Sequence, residues 1–353
     1  MPNITDKVDS LHVIASKQFG GADQFFIRLV RALNQKNHKA LAVTRPKTQI
    51  SQALTLEEQC HVPMQNIWDL WSIWSLRKMA KRLQTPIVQS YMGRATRLTH
   101  VPKGAVHVAR LGGFYKIKGY FRHAHAWVVP SKGLADYLVQ EGLPARNIHL
   151  IGNFVDTPRL ASCEETAALR QRLALPENAH IIFALGRHVP VKGFDLLLQA
   201  FAHLKVFDNL FLVLGGEGPE TPKLIKLAKD LSLNGRVIFP GWITDIAPYY
   251  ALANLFVLSS VREGLGCVLL EAMSYGVPIV ATKTAGALEL IEHEHNGLLV
   301  DRNPNDLADA VKTLVLTPTL AQTLTDHAKN SVAPFSEENI IQRYLELYRT
   351  LAS

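Results

Sequence analysis

Cysteine is scarce: Cys60, Cys163 and Cys267 stand far apart in 353 residues. An odd, sparse set makes neither a disulfide framework nor a zinc-ligand spacing. No apolar run approaches the roughly 18 residues that cross a bilayer. The amino terminus, MPNITDKVDS, is polar and lacks the basic-then-apolar plan of a secretion signal. A cytoplasmic location is therefore the expectation. The familiar nucleotide motifs are missing too. Without G-x-x-x-x-G-K-[ST] the chain does not read as a P-loop NTPase. No G-x-G-x-x-G follows a strand, which leaves NAD binding weakly supported. No D-x-D occurs, which argues against a metal-bound diphosphate. His123-x-His125 and His293-x-His295 come without neighbouring ligands, so no metal site is expected.

Acidic residues are also few in the first half. Residues 1–150 hold 21 Lys+Arg and 8 Asp+Glu, a net of +13, and residues 151–353 hold 17 and 22, a net of −5. The two halves sum to the formal +8 of the whole. Such a skew points the first half toward something anionic: a phosphorylated acceptor, a membrane surface or nucleic acid. No RNP-like or helix-turn-helix motif accompanies it, so nucleic acid is not expected as a partner.

What is present is a repeated α/β pattern. LHVIAS (11–16) is an apolar run ending in a loop, Phe19-Gly20-Gly21, and a helical pattern follows before a second strand at 38–43. Short apolar runs recur at 86–90, 105–111, 126–130 and 147–151, then again at 180–186, 210–216, 236–241, 254–260, 277–282 and 296–300. Helical segments separate most of them, as in doubly wound parallel sheets. GNFVDTP, beginning at Gly152, is polar and turn-rich. It divides a first Rossmann-like domain, 1–155 completed by a terminal helix 336–353, from a second, 156–335.

The second domain concentrates the chemistry. Its first strand ends at Gly186-Arg187, with Lys192-Gly193 soon after. Both cations thus sit at the carboxyl end of a parallel strand, where open α/β sheets bind ligands. The next strand ends in Gly215-Gly216-Glu217-Gly218-Pro219. The fourth ends at Ser259-Ser260, and EGLGCVLLEAMSYGVPIVAT follows from Glu263. That stretch carries two glutamates, Glu263 and Glu271, and no cation before Lys283. Its helix starts at Cys267, where bare N–H groups and nearby glycines suit an anion. With Arg187 and Lys192 this is enough to neutralise a diphosphate without a metal.

This constellation resembles glycosyltransferase family 4, of the GT-B fold. The resemblance is carried by E-G-L-G and the second glutamate at 263–271, then AMSYGVPIVAT, AGALELI and HNGLLV. Supporting pieces are GR at 186, VKG at 192, GGEGP at 215, and more weakly Gly20-Gly21, NFVD at 153–156 and the carboxyl-terminal tail. It implies two Rossmann-like domains facing across a cleft and retaining transfer from a nucleotide-diphosphate sugar, with no metal or other cofactor. Glu263 would hold donor-sugar hydroxyls, backbone amides of Gly264, Leu265 and Gly266 would meet the sugar and diphosphate, and Glu271 would take the ribose hydroxyls. Arg187 and Lys192 would stabilise the departing diphosphate, and Gly20 and Gly21 would close over its phosphates. The two glutamates then need no cation between them, because ligand hydroxyls satisfy each. The second reading is a non-catalytic nucleotide-sugar-binding partner subunit.

The chain departs from the family where a His-x-His-like pair is common. Here IVQSYMGRA places Gln89 and Tyr91, with Tyr91 and Arg94 expected on the acceptor side. The donor base, the sugar and the acceptor stay open. One stretch adds something of its own: NIWDLWSIWSLRKMAKRLQ (66–84) reads as a helix. Trp68, Ile73, Leu76, Met79, Ala80 and Leu83 share one face, and Trp71, Trp74, Arg77, Lys78, Lys81 and Arg82 share the other. Tryptophans among basic residues suit an interfacial helix; packing against neighbouring elements is the alternative. The first reading would dock this domain on the inner face of the cytoplasmic membrane, toward a glycan or lipid-linked acceptor.

Overall fold

The computed structural model describes residues 8–16, 20–55 and 59–353. It divides into two compact units: the chain up to Phe154 together with Glu337–Ser353, and Val155–Ser336. The first holds seven strands: β1 (Ser10–Ile14), β2 (Ala40–Thr44), β3 (Gln59–His61), β4 (Ile87–Tyr91), β5 (Val106–Arg110), β6 (Ala126–Val129) and β7 (Ile148–Leu150). All pair in parallel, in the order β3-β2-β1-β4-β5-β6-β7. The second holds β8 (His180–Leu185), β9 (Leu210–Gly215), β10 (Val237–Ile238), β11 (Leu255–Leu258), β12 (Ile279–Thr282) and β13 (Leu298–Val300), again parallel, in the order β10-β9-β8-β11-β12-β13.

Helices cover both faces of each sheet, so the inner strands are buried almost throughout; β11 is wholly apolar, whereas β1 and β4 also bury Ser10, His12, Gln89 and Ser90. In each unit the strand order reverses once, between β1 and β4 and between β8 and β11. Such a reversal leaves a crevice at the carboxyl ends of the strands. The helix Glu337–Ala352 joins the first unit's core through Ile340, Ile341, Tyr344, Leu347 and Tyr348, one stripe at helical spacing.

Two strands depart from expectation. β3 is three residues, two of them polar, and carries too little apolar signal to be read. β10 is shorter than 236–241 because Pro240 lacks an N–H and Gly241 turns at φ +81°.

The first sheet encloses a polar chain. The Tyr348 hydroxyl donates to Gln89 Oε1 (2.8 Å), and Gln89 Nε2 donates to the Tyr91 hydroxyl (2.7 Å). Tyr91 meets His12 Nδ1 at 2.8 Å, and His12 Nε2 meets Ser10 Oγ at 2.9 Å. Burial, assisted by repulsion from His38, lowers the His12 pKa to about 3. The imidazole is therefore neutral, with Nδ1 accepting from Tyr91.

Candidate active site

In the second unit the loops after β8, β9 and β11 pack backbone against backbone. Gly193 sits at φ +62°, and a Cβ there would lie 2.1 Å from the Ser259 carbonyl oxygen. A Cβ on Gly216, at φ +111°, would lie 2.0 Å from the Gly186 carbonyl. Only glycine fits either place. The loops are then stitched together: Val261 N–H donates to the Val191 carbonyl (2.9 Å), Ser259 Oγ to the Lys192 carbonyl (3.1 Å) and His188 N–H to the Glu217 carbonyl (3.0 Å). The helix Cys267–Ser274 starts beside them from Gly266, at φ +83°, without a side-chain cap.

Lys192 follows β8 and Glu263 follows β11, one on each side of the strand-order reversal. They meet: Lys192 Nζ donates to Glu263 Oε1 at 2.5 Å, and Ser260 Oγ donates to the same oxygen at 2.8 Å. Their side chains are only 21 % and 13 % exposed. This corrects the expectation that Glu263 needs no cation. The lysine that supplies its charge stands 71 residues earlier, so no local reading of the glutamate helix finds it. Glu271 also has a partner, the Tyr250 hydroxyl at 3.2 Å. Burial pushes the Tyr250 pKa well above its ordinary value, and the neighbouring carboxylate adds to the shift, so the hydroxyl stays a donor. Tyr250 stacks on Tyr275 with centroids 4.8 Å apart. Gly264, Leu265 and Gly266 are buried at the helix start, while Arg187 lies exposed on the neighbouring loop. Ser260 and Tyr250 are the partners that sequence reasoning missed. Ser260 stood within its motif; Tyr250 lies on a six-residue helix with no pattern to mark it.

In the first unit, Gly20 precedes the helix Gly21–Gln35 with extended backbone, φ −164°. Among the described residues, no atom beyond its chain neighbours and its own helix backbone lies within 4 Å of a Cβ placed on Gly21. Phe19 lies outside the described residues. Asp23, in the first turn of that helix, is buried with Oδ1 unpartnered, and burial raises its pKa. Tyr91 does not face an acceptor. It is 2 % exposed, and its hydroxyl is engaged by His12 and Gln89 within the sheet. Arg94, also expected there, lies on the helix Met92–Leu98 that follows β4. Its Nη1, together with Nε and Nη1 of Arg45, is buried without a hydrogen-bond partner. Burial and the nearby Arg94 lower the pKa of Arg45, which sequence reasoning missed.

The tryptophan helix is Leu70–Arg82. Asp69 caps it by accepting from Ser72 N–H (3.0 Å), so Trp68 precedes the helix and does not share its buried face. Trp68 instead lies under the Arg97 guanidinium, 4.2 Å from the ring centroid. Leu76, Met79, Ala80 and Leu83 are buried as expected. Trp71 and Trp74 are 51 % and 57 % exposed. Lys78 Nζ stands 4.5 Å over the Trp74 ring, and Lys81 lies exposed on the same helix. Among the described residues no helix is long and apolar enough to cross a membrane.

Residues 165–331 match the family model described as glycosyl transferases group 1, and residues 19–159 match glycosyltransferase family 4. The lipopolysaccharide core biosynthesis glycosyltransferase LpsE of Rhizobium meliloti (strain 1021) is 33 % identical over 334 residues, covering 93 % of this chain and 95 % of that protein. LpsD of the same strain, also named for lipopolysaccharide core biosynthesis, is 29 % identical over 335 residues, with the same 93 % and 95 % coverage. Among solved structures, Anabaena HepE in complex with UDP-glucose superposes with a TM-score of 0.84 at 22 % identity, over 97 % of this chain and 99 % of that one. This last likeness bears on fold alone, and the fold is GT-B.

Proposed function

The chain belongs to glycosyltransferase family 4, and from that premise we propose that it moves a sugar from a nucleotide-diphosphate donor to a hydroxyl of a glycan or lipid-linked acceptor. The transfer retains the anomeric configuration and requires no metal. The observation that carries this reading is the Lys192–Glu263 pair beside an uncapped helix start at the strand-order reversal. Amides of Gly264, Leu265 and Gly266, with Arg187 and Lys192, meet the diphosphate. Charge grows on its leaving oxygen as the glycosidic bond breaks, and preorganised donors act most strongly there. Glu263, paired with Lys192 in the free protein, takes sugar hydroxyls as the diphosphate draws the lysine from it. Glu271, steadied by Tyr250, accepts from both ribose hydroxyls. The leaving phosphate itself accepts the acceptor's proton, so no protein base is assigned.

The lipopolysaccharide core biosynthesis for which LpsE and LpsD are named favours an acceptor in lipopolysaccharide core or a related surface polysaccharide. The paired cations Arg45 and Arg94 support an anionic group on it, and exposed Trp71 and Trp74 with Lys78 and Lys81 support docking on an anionic membrane surface.

A thermal-shift screen of UDP-, GDP- and ADP-sugars names the donor, since a ligand of the folded state raises apparent stability. Turnover with a core-type acceptor follows, in EDTA, with the product anomer read by NMR. An inverted product, or activity abolished by EDTA and restored by Mg²⁺, refutes the mechanism. Donor binding without turnover on any acceptor fits the partner-subunit reading instead.

A further inference from the structure

A cavity of about 450 Å³ opens at the amino ends of β5 and β6, away from the carboxyl-end loops of that sheet. Arg77, His100, Lys103, His107, His123 and His125 line it, and no carboxylate does. The cations and histidines gathered here come from four separate stretches of chain: the tryptophan helix, the 99–105 loop, β5 and the 123–125 turn.

The hydrogen bonds fix the proton on three of the rings. His123 Nε2 donates to the Thr96 and Thr99 carbonyls, at 2.9 and 3.1 Å. His125 Nδ1 accepts from the His107 backbone N–H at 2.9 Å, so its own proton is on Nε2. His107 Nε2 meets Ser90 Oγ at 2.8 Å; that hydroxyl donates onward to Thr96, and Thr96 to the Met92 carbonyl. His107 therefore donates through Nε2, and its Nδ1 is a bare acceptor, buried and without a partner. A buried acceptor left unpaired is costly, which calls for a ligand that brings a proton. Arg77 and Lys103 call for that ligand to be an anion and oppose a metal cation. Among the described residues no group of His, Cys, Asp and Glu is arranged to hold a metal ion.

We propose that this cavity is a binding site for a phosphate-bearing group, held by Arg77 and Lys103 and by a proton shared with His107. A phosphate suits the site because it carries two negative charges and titrates near neutrality. Burial and mutual repulsion among His100, His107, His123 and His125, with Arg77 and Arg97 adjacent, keep His100, His107 and His123 neutral at pH 7 in the unliganded protein. Binding a phosphate dianion then takes up a proton, whether it stays on the oxygen or passes to Nδ1. The sign follows: affinity falls as pH rises, by up to about tenfold per unit for one proton. Because Arg77 lies on the helix that bears Trp71 and Trp74, the group is either a free phosphate or a lipid headgroup.

Two measurements on the full chain test this, each with wild type and an Arg77→Gln/Lys103→Gln variant, whose substitutions are exposed. In the first, inorganic phosphate is compared with chloride at equal ionic strength by thermal shift at pH 6 and pH 8. The expected result is a phosphate-specific rise, larger at pH 6 and lost in the variant; phosphate held by the second unit contributes equally to both proteins. In the second, flotation uses phosphatidylcholine vesicles with and without phosphatidic acid, whose phosphomonoester titrates near neutrality, at the same two pH values. Loss of pH-dependent flotation in the variant assigns the site to a lipid headgroup, whereas loss of the phosphate effect alone assigns it to a soluble phosphate. Equal behaviour of the two proteins in both measurements overturns the proposal.

Discussion

Lys192→Ala separates two roles that one side chain carries. In the free protein Lys192 compensates Glu263 at 2.5 Å. With side chains 21 % and 13 % exposed, the pair lies between two regimes. An exposed pair contributes up to about 1 kcal/mol, and breaking a fully buried one costs about 3–5 kcal/mol. Ser260 still donates to the carboxylate after the substitution. A loss of roughly 1–2 kcal/mol is therefore expected, or about 2–8 °C in melting temperature for a unit of this size. Catalysis should suffer more. If Lys192 meets charge that grows on the leaving diphosphate, its removal lowers kcat by about 10²–10³, with the donor KM changed only a few-fold. Steady-state kinetics at saturating acceptor, beside a melting curve, reads both. Glu263→Ala and the double variant complete the cycle: the stability losses should be non-additive, because the two groups share one contact. An unchanged kcat, or a loss confined to KM, would refute the leaving-group role.

Tyr250→Phe removes the donor to Glu271 and should weaken nucleotide-diphosphate binding by about 2–10-fold, the worth of one hydrogen bond; calorimetric titration giving equal affinities counts against the ribose role of Glu271. Gly193→Ala forces a Cβ against the Ser259 carbonyl at a positive φ and should cost several degrees of melting temperature along with activity. Gly21→Ala meets no side chain among the described residues and should be within about 1 kcal/mol of wild type in stability. Full activity in that variant would show that no ligand approaches there. His12 protonates near 6.5 when unfolded but only at about 3 when folded. The unfolded chain takes up that proton first as pH falls, so stability drops below pH 6.5. Between pH 7 and pH 5 the group removes about 2 kcal/mol, and urea titrations of His12→Asn should show a shallower loss over that range; an identical slope would dismiss it.

Most strands were legible because parallel strands buried on both faces are short and rich in Val, Ile, Leu and Ala, and here turn residues bound them. β3 was not, since an edge strand of Gln, Cys and His has no apolar run. The tryptophan helix was legible in its buried face and misread at its start. A helical wheel extends past a boundary unless a cap stops it, and Asp69 with Ser72 three residues later was the available signal. Tyr91 was misplaced for a different reason: likeness to a family motif gives a position along the chain, whereas the side chain's direction depends on alternation in β4 and on His12 from β1.

The active-site loops show what lies beyond sequence even when every motif is found. Arg187, Lys192 and Glu263 were assigned to loops that follow strands and Glu271 to the helix that begins at Cys267, and each lies there. Pairwise contact is another matter. It depends on strand order, and only the reversal between β8 and β11 brings residues 192 and 263 within hydrogen-bond reach. That contact changes what a donor must do. An incoming diphosphate has to outcompete Glu263 for Lys192, and two phosphate charges outweigh one carboxylate. A sugar hydroxyl must at the same moment replace what Glu263 loses, because a carboxylate 13 % exposed and left without its lysine is costly. Only a ligand that carries both groups makes the exchange evenly. A nucleoside diphosphate lacking the sugar should therefore bind less tightly than its weight of phosphate contacts suggests, and Glu263→Gln should narrow that gap. Equal gaps in the two proteins would mean that the pair plays no part in selecting the donor.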